Sequence, residues 1–224
     1  MCFSLEADLV AAAVVAPVGV LTLRADHHRR DLVLAALPML FAAHQLTEAF
    51  VWAGAEGRVS AAVAQVAATV YVAFALPALP TLVPLGAWMV ARDRSRAQVL
   101  PFLVTGVCVT AYMAMRMAQN GVGWRAEPHA LVYRIGMGDA ELWTGLYVLA
   151  VVGACLLSGH RWIVSFGVAN LVGLSVVALA YTQAFASLWC LYAALSSFLL
   201  LAHFRSQAAR RPVGVDGPAT SVSV

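Results

Sequence analysis

From Ala61 to Ala91 the chain carries no Asp, Glu, Lys or Arg. A helix needs ~20 apolar residues to cross a bilayer. Two crossings and a loop need more than this run offers, so it predicts one long, tilted helix. Pro77, Pro80 and Pro84 fall inside it, and proline kinks are tolerated in membrane helices. Six further apolar runs flank it: Leu9–Leu23, Leu32–Gly54, Gln98–Ala118, Glu141–Leu157, Trp162–Tyr181 and Ala184–Phe204. The fold expected is all-α, a polytopic bundle of seven transmembrane helices over residues 1–204, with a disordered polar tail at 205–224. Composition agrees. Charged residues make up 11% of the chain and mean hydropathy is +0.82, whereas a soluble domain is roughly one quarter charged.

All fourteen basic residues are arginine. Ten of them, Arg24, Arg29, Arg30, Arg92, Arg94, Arg96, Arg161, Arg205, Arg210 and Arg211, fall in segments that share one side of a seven-span bundle. The positive-inside rule makes that side cytoplasmic. The N-terminus, with Glu6 and Asp8, is then outside, the tail is inside, and the chain sits multi-pass in a cell membrane of bacterial inner-membrane type. A net charge of +3 spread over loops gives no nucleic-acid signal. The partners expected are the lipid bilayer and a lipophilic small molecule. Cys2, Cys108, Cys155 and Cys190 form no CxxC pair, which excludes zinc-ribbon and thioredoxin-like readings. The start of the chain has no basic segment of a signal peptide, and Cys2 has no apolar stretch before it that lipidation would require.

Glu48 is the one carboxylate in the Leu32–Gly54 run, and an ionisable group at that depth is a functional hypothesis by default. His44, Glu48 and Trp52 are spaced four apart and so stack along one helix face. At 1.5 Å per residue Glu48 lies about 9 Å below the outer edge, and His44 about 6 Å deeper. Other polar groups gather in the same outer half: Gln65 and Thr69 in span three; Cys108, Tyr112 and Arg116 in span four; Tyr181 and Thr182 ending span six; Ser187, Trp189 and Cys190 opening span seven. Polar groups confined to one half predict an outward-opening pocket rather than a channel, which is polar along its whole length. The plainer alternatives are a structural Glu48–Arg116 ion pair and a hydrogen-bonded core His44. His27, His28 and His160 are expected to be solvated in loops. A metal site would need several convergent ligands. His44, Glu48, His129 and Cys190 could supply them only from four separate places, so neither a metal nor another cofactor is expected.

Several short motifs carry a resemblance. Met1-Cys-Phe-Ser, Gln45-x-x-Glu48-x-x-x-Trp52, the multi-proline third span, His129-x-x-x-Tyr133 and Ser187-x-Trp189-Cys190 resemble, in that order, a family of small seven-span bacterial proteins of unknown function, common in actinobacteria. The likeness runs from Met1 to about Phe204. It implies a seven-helix fold and directs attention to Cys2, Glu48, His129, Trp189 and Cys190. A more distant likeness is to the membrane-embedded terpene cyclases of meroterpenoid pathways, also small seven-span proteins, in which an acid of span two protonates an alkene or epoxide. Glu48 is placed like that acid. Those enzymes use a second acid in span seven. Span seven here has none, and Asp139 or Glu141 are the candidates to replace it.

These readings converge on an intramembrane enzyme that acts on a lipophilic substrate by acid catalysis. Glu48 is expected to be the general acid and His44 its orienting or relaying partner. Trp52, Tyr112, Arg116, His129, Tyr133, Trp189 and Cys190 are expected to line the substrate, with Tyr192 a further aromatic wall. The alternatives are a transporter, lipid-binding protein or sensor without chemistry, and a metal-dependent membrane hydrolase.

Overall fold

Ser4 starts the first helix. Its hydroxyl accepts the backbone N–H of Ala7 at 3.4 Å, the usual device for satisfying a helix start. A computed structural model describes residues 4–25, 28–127, 130–180, 192, 194 and 196–209. Within them lie helices α1 (Leu5–Arg24), α2 (Leu32–Ala55), α3 (Ala61–Ala73), α4 (Leu79–Val90), α5 (Asp93–Asn120), α6 (Ala140–Leu156), α7 (Arg161–Ala180) and α8 (Phe198–Ala208), and strands β1 (Gly123–Glu127) and β2 (Ala130–Arg134). The chain is mainly helical, as expected. The two-stranded antiparallel sheet is an addition to the all-α expectation, inside the segment read as a loop. The start of the seventh expected span lies outside the described residues, and α8 continues past Phe204 to Ala208.

Among the described residues, four helical stretches are long and apolar enough to cross a membrane: Leu5–Arg24, Arg29–Ala55, Ala61–Val90 and Asp93–Asn120. The third is the uninterrupted proline-bearing helix that the sequence predicts. Its bend has a definite form. Residues 74–78 widen into a π-turn around Pro77 and join α3 to α4. Proline lacks an N–H and crowds the preceding turn, so carbonyls there need outside donors. Tyr147 of α6 donates to Ala75 O at 2.8 Å, and Thr110 of α5 donates to Pro77 O at 2.5 Å. The bend is thereby pinned from two neighbouring helices.

Small residues let the helices approach. A Cβ on Gly106 of α5 would overlap the Pro80 carbonyl oxygen of α4, and one on Gly19 of α1 would lie 2.7 Å from the Met39 backbone of α2. Such contacts suit a bilayer, where helix association relies on close packing. A Gly106→Ala chain is expected to lose about 1–3 kcal/mol, the usual cost of overpacking, because the atom it meets is backbone. Thermal unfolding in detergent with an unshifted midpoint would contradict this.

The core runs down the middle of the bundle, from Phe41 of α2 and Tyr71 of α3 to Met113, Val151, Phe166 and Phe204. Outside, Val63, Val66 and Val70 form an exposed stripe on α3, and Leu100, Val104 and Val107 another on α5. Apolar faces of this extent are unusual on soluble monomers and are at home in lipid.

The two ends differ. One holds Arg24, Arg29, Arg30, Arg92, Arg94, Arg96, Arg161 and Arg205, at the joints between helices or in α8. There the His160 ring bonds Val90 O at 3.0 Å and stands edge-on to His203 at 5.1 Å. His160 is therefore packed into the bundle end and not solvated as expected. His203, 2% exposed, is held by the Gln207 amide at 2.7 Å. The other end carries the β-hairpin.

Candidate functional site

Helix α2 buries the three residues that its sequence singles out. His44 is 3% exposed, Glu48 0% and Trp52 7%, one turn apart along a single face. Helix α1 runs antiparallel to α2 and touches it where Gly19 meets Met39. Eleven residues back along α1 is Asp8, and nine residues forward along α2 is Glu48, so at 1.5 Å per residue the two positions come within about 3 Å of the same level. Asp8 is 1% exposed. Two acids are thus buried inside the bundle, one from each of the first two helices.

His44 stacks on Tyr71 of α3 with ring centroids 3.9 Å apart and an interplanar angle of 15°. Phe74, where the π-turn begins, lies 4.9 Å from it. Tyr71 stacks in turn on Tyr133 of β2 at 4.6 Å. A column of three rings therefore leads from the hairpin to the turn below Glu48. Among the described residues, neither ring nitrogen of His44 nor the indole N–H of Trp52 has a hydrogen-bond partner.

The hairpin closes this end. Trp124 pairs with Tyr133 and Ala126 with Leu131 across the two strands. Side chains two apart on a strand share a face, and on β2 that face is Leu131 and Tyr133. Leu131 is 1% exposed and packs with Val51, Trp52, Ala67 and Ala68. One side chain of α3 latches the sheet: Gln65 donates to Val122 O at 2.9 Å and accepts from Trp124 Nε1 at 3.1 Å. The hairpin base is tied to α5. Asn120 donates to Ile135 O at 2.9 Å, Arg116 Nε and Nη2 both donate to Gly136 O, and the Tyr112 hydroxyl donates to Gly138 O at 2.8 Å.

The chain matches the family of unknown function DUF6629 over residues 1–214. It belongs to that family. No curated protein and no solved structure matches it.

In this DUF6629 chain the residues expected at the site separate into groups. Glu48, His44, Trp52 and Tyr133 come together, joined by Tyr71. Tyr112 and Arg116 form a second group at the hairpin base, where Tyr112 also stacks on Trp143 at 3.8 Å. Arg116 is engaged by the Gly136 carbonyl and by Gln119 Oε1 at 3.5 Å. Ion pairs among the described residues join Arg58 to Glu6 and Glu56, and Arg125 to Glu127, so the expected Glu48–Arg116 pair is not among them. Tyr192 lies against Gly173 of α7. Cys2, His129, Trp189 and Cys190 lie outside the described residues. Among the described ones, no three His, Cys, Asp or Glu side chains converge as metal ligands.

Asp8 and Tyr71 are the residues that sequence reasoning missed. Asp139 and Glu141, the expected sources of a second acid, are exposed, while Asp8 supplies a buried one. The signal was present: Asp8, Ala11, Val15, Val18, Gly19 and Thr22 form the buried stripe of α1 at helical spacing, with the acid at its head.

Proposed function

We propose that this DUF6629 protein is a multi-pass enzyme of the bacterial cell membrane that converts a lipophilic substrate by protonation. The proposal includes seven spans, with the arginine-rich end in the cytoplasm and the hairpin end outside. The observation that carries it is Glu48, wholly buried among helices long and apolar enough to cross a membrane, with a second buried carboxyl, Asp8, on the neighbouring helix α1. Ionising a carboxyl within a bilayer is costly, so an acid kept there serves better to hold and pass a proton than to carry a charge.

The reaction class follows from that role. A proton leaves a Glu48 carboxyl oxygen and forms a C–H bond with the electron pair of an alkene. The resulting carbocation faces aromatic rings, and π-faces attract cations. Loss of a proton from a neighbouring carbon discharges it, and that proton restores the acid. The net change is an isomerisation or cyclisation without a cofactor. Asp8, beside Glu48, is suited to take up and return the proton between turnovers.

The facing pair of acids favours one other reading, a carrier that moves a solute together with a proton, since paired intramembrane acids also serve as proton relays. Comparison of lipid extracts from a host with the gene intact, deleted or carrying Glu48→Gln separates the two. The enzyme reading expects a compound that only the intact gene produces. If the three extracts agree while uptake of a solute differs, the carrier reading replaces it.

A further inference from the structure

Trp52 and His44 bracket Glu48 on α2, eight residues or about 12 Å apart along the helix axis. Both side chains are more than nine-tenths buried, and neither the indole N–H nor either imidazole nitrogen has a partner among the described residues. Buried polar atoms are nearly always hydrogen-bonded in native proteins, and one left without a bond forfeits solvation for nothing. Two such side chains on one face call for a molecule that completes them.

The cover above them is the β-hairpin. The hairpin is flanked by Gly121 and Gly136, with φ of 70° and 61°. Glycine takes that left-handed region without strain, so the chain enters and leaves the hairpin by tight turns. Among the described residues, its hydrogen bonds to α3 run through the one side chain of Gln65, beside the Tyr71–Tyr133 stack and the Leu131 packing.

We propose that the His44–Glu48–Trp52 face is the binding site of a neutral, oxygen-bearing amphiphile and that the hairpin is the cover that admits it. The groups present select this chemistry. An indole N–H donates only, so the molecule must offer an acceptor there, which a cation cannot. An anion within a bilayer bears the same high cost as an ionised carboxyl, so the molecule is neutral. The residues packed with Trp52, namely Val51, Ala67 and Leu131, are apolar. A hydroxyl, ether, epoxide or carbonyl on a hydrocarbon chain meets all three conditions. The inference takes the same face as the proposed enzyme but does not need proton transfer: binding without turnover would leave it standing and remove the reaction.

Diethyl pyrocarbonate acylates an imidazole nitrogen with a free lone pair, and mass spectrometry reads each histidine separately. The full chain in lipid nanodiscs is labelled with and without Gln65→Leu, which removes both latch bonds. Labelling of His44 is expected to rise at least about tenfold, as two hydrogen bonds are lost. Labelling of His203, buried at the opposite end, stays unchanged. Hexadecanol is expected to return His44 towards the wild-type rate, whereas hexadecane, of equal length but without oxygen, has no effect. An unchanged rate at His44 would overturn the cover. Equal protection by both probes, or by neither, would overturn the ligand class. Should His203 rise as well, Trp124→Phe removes one latch bond and keeps the ring packing. No rise at His44 in that variant would overturn the cover.

Discussion

A Glu48→Gln chain is expected to insert and fold as the wild type does and to convert its substrate about a thousandfold more slowly. The amide matches the carboxyl in size and keeps an oxygen and a donor group, so the packing between α1 and α2 survives. It has no proton to give at neutral pH. General acid catalysis contributes roughly 10²–10⁴ in rate, and in a site shielded from water no solvent acid replaces it. Asp8→Asn is expected to lower the rate less, because Asp8 acts through Glu48 and not on the substrate. The check is product formation in membranes containing equal amounts of each chain. Equal loss in both variants would make the two acids a single unit with no division of roles.

The second large effect is on stability. Tyr71→Ala is expected to cost about 4 kcal/mol, in the range for removing a large aromatic side chain from a core. Tyr71 is 0% exposed and stacks between His44 and Tyr133. Its loss removes the middle ring of the column and leaves a void under the hairpin. For a chain of this length the cost corresponds to a fall in Tm of roughly 10 °C. Val66→Ala, on the same helix but 64% exposed, is expected to stay within about 0.5 kcal/mol of wild type. Thermal unfolding in detergent compares the two. Similar shifts would mean that the column contributes no more than an exposed valine.

Glu48 was legible in the sequence because a carboxylate in an apolar run has no ordinary reason to be there. The long third helix was legible for a similar reason: its prolines cannot end a helix whose neighbours supply donors, and Tyr147 and Thr110 do so. Asp8 was not. An acid in the first turn of a helix reads as compensation for the helix dipole at the surface, and only the pairing of α1 with α2 sets it opposite Glu48. The hairpin was hidden because its strands are five residues each and carry Arg125, Glu127 and Arg134, a charge pattern that reads as loop. What stabilises them is distant in sequence, the Gln65 latch and the Leu131 contact with α2. His160 was misplaced on similar grounds. A histidine after Ser-Gly reads as exposed, yet Val90 and His203 approach it from other parts of the chain.

The central claim is that the Glu48 carboxyl hands a proton to a carbon atom of a lipophilic molecule. Incubation of the purified protein with lipid extract from its host in heavy water tests this directly, because the acid exchanges its proton for a deuteron before each transfer. The wild-type chain is predicted to yield a lipid heavier by one deuterium in a carbon-bound, non-exchanging position, absent with Glu48→Gln. The same isotope pattern from both chains would contradict the account.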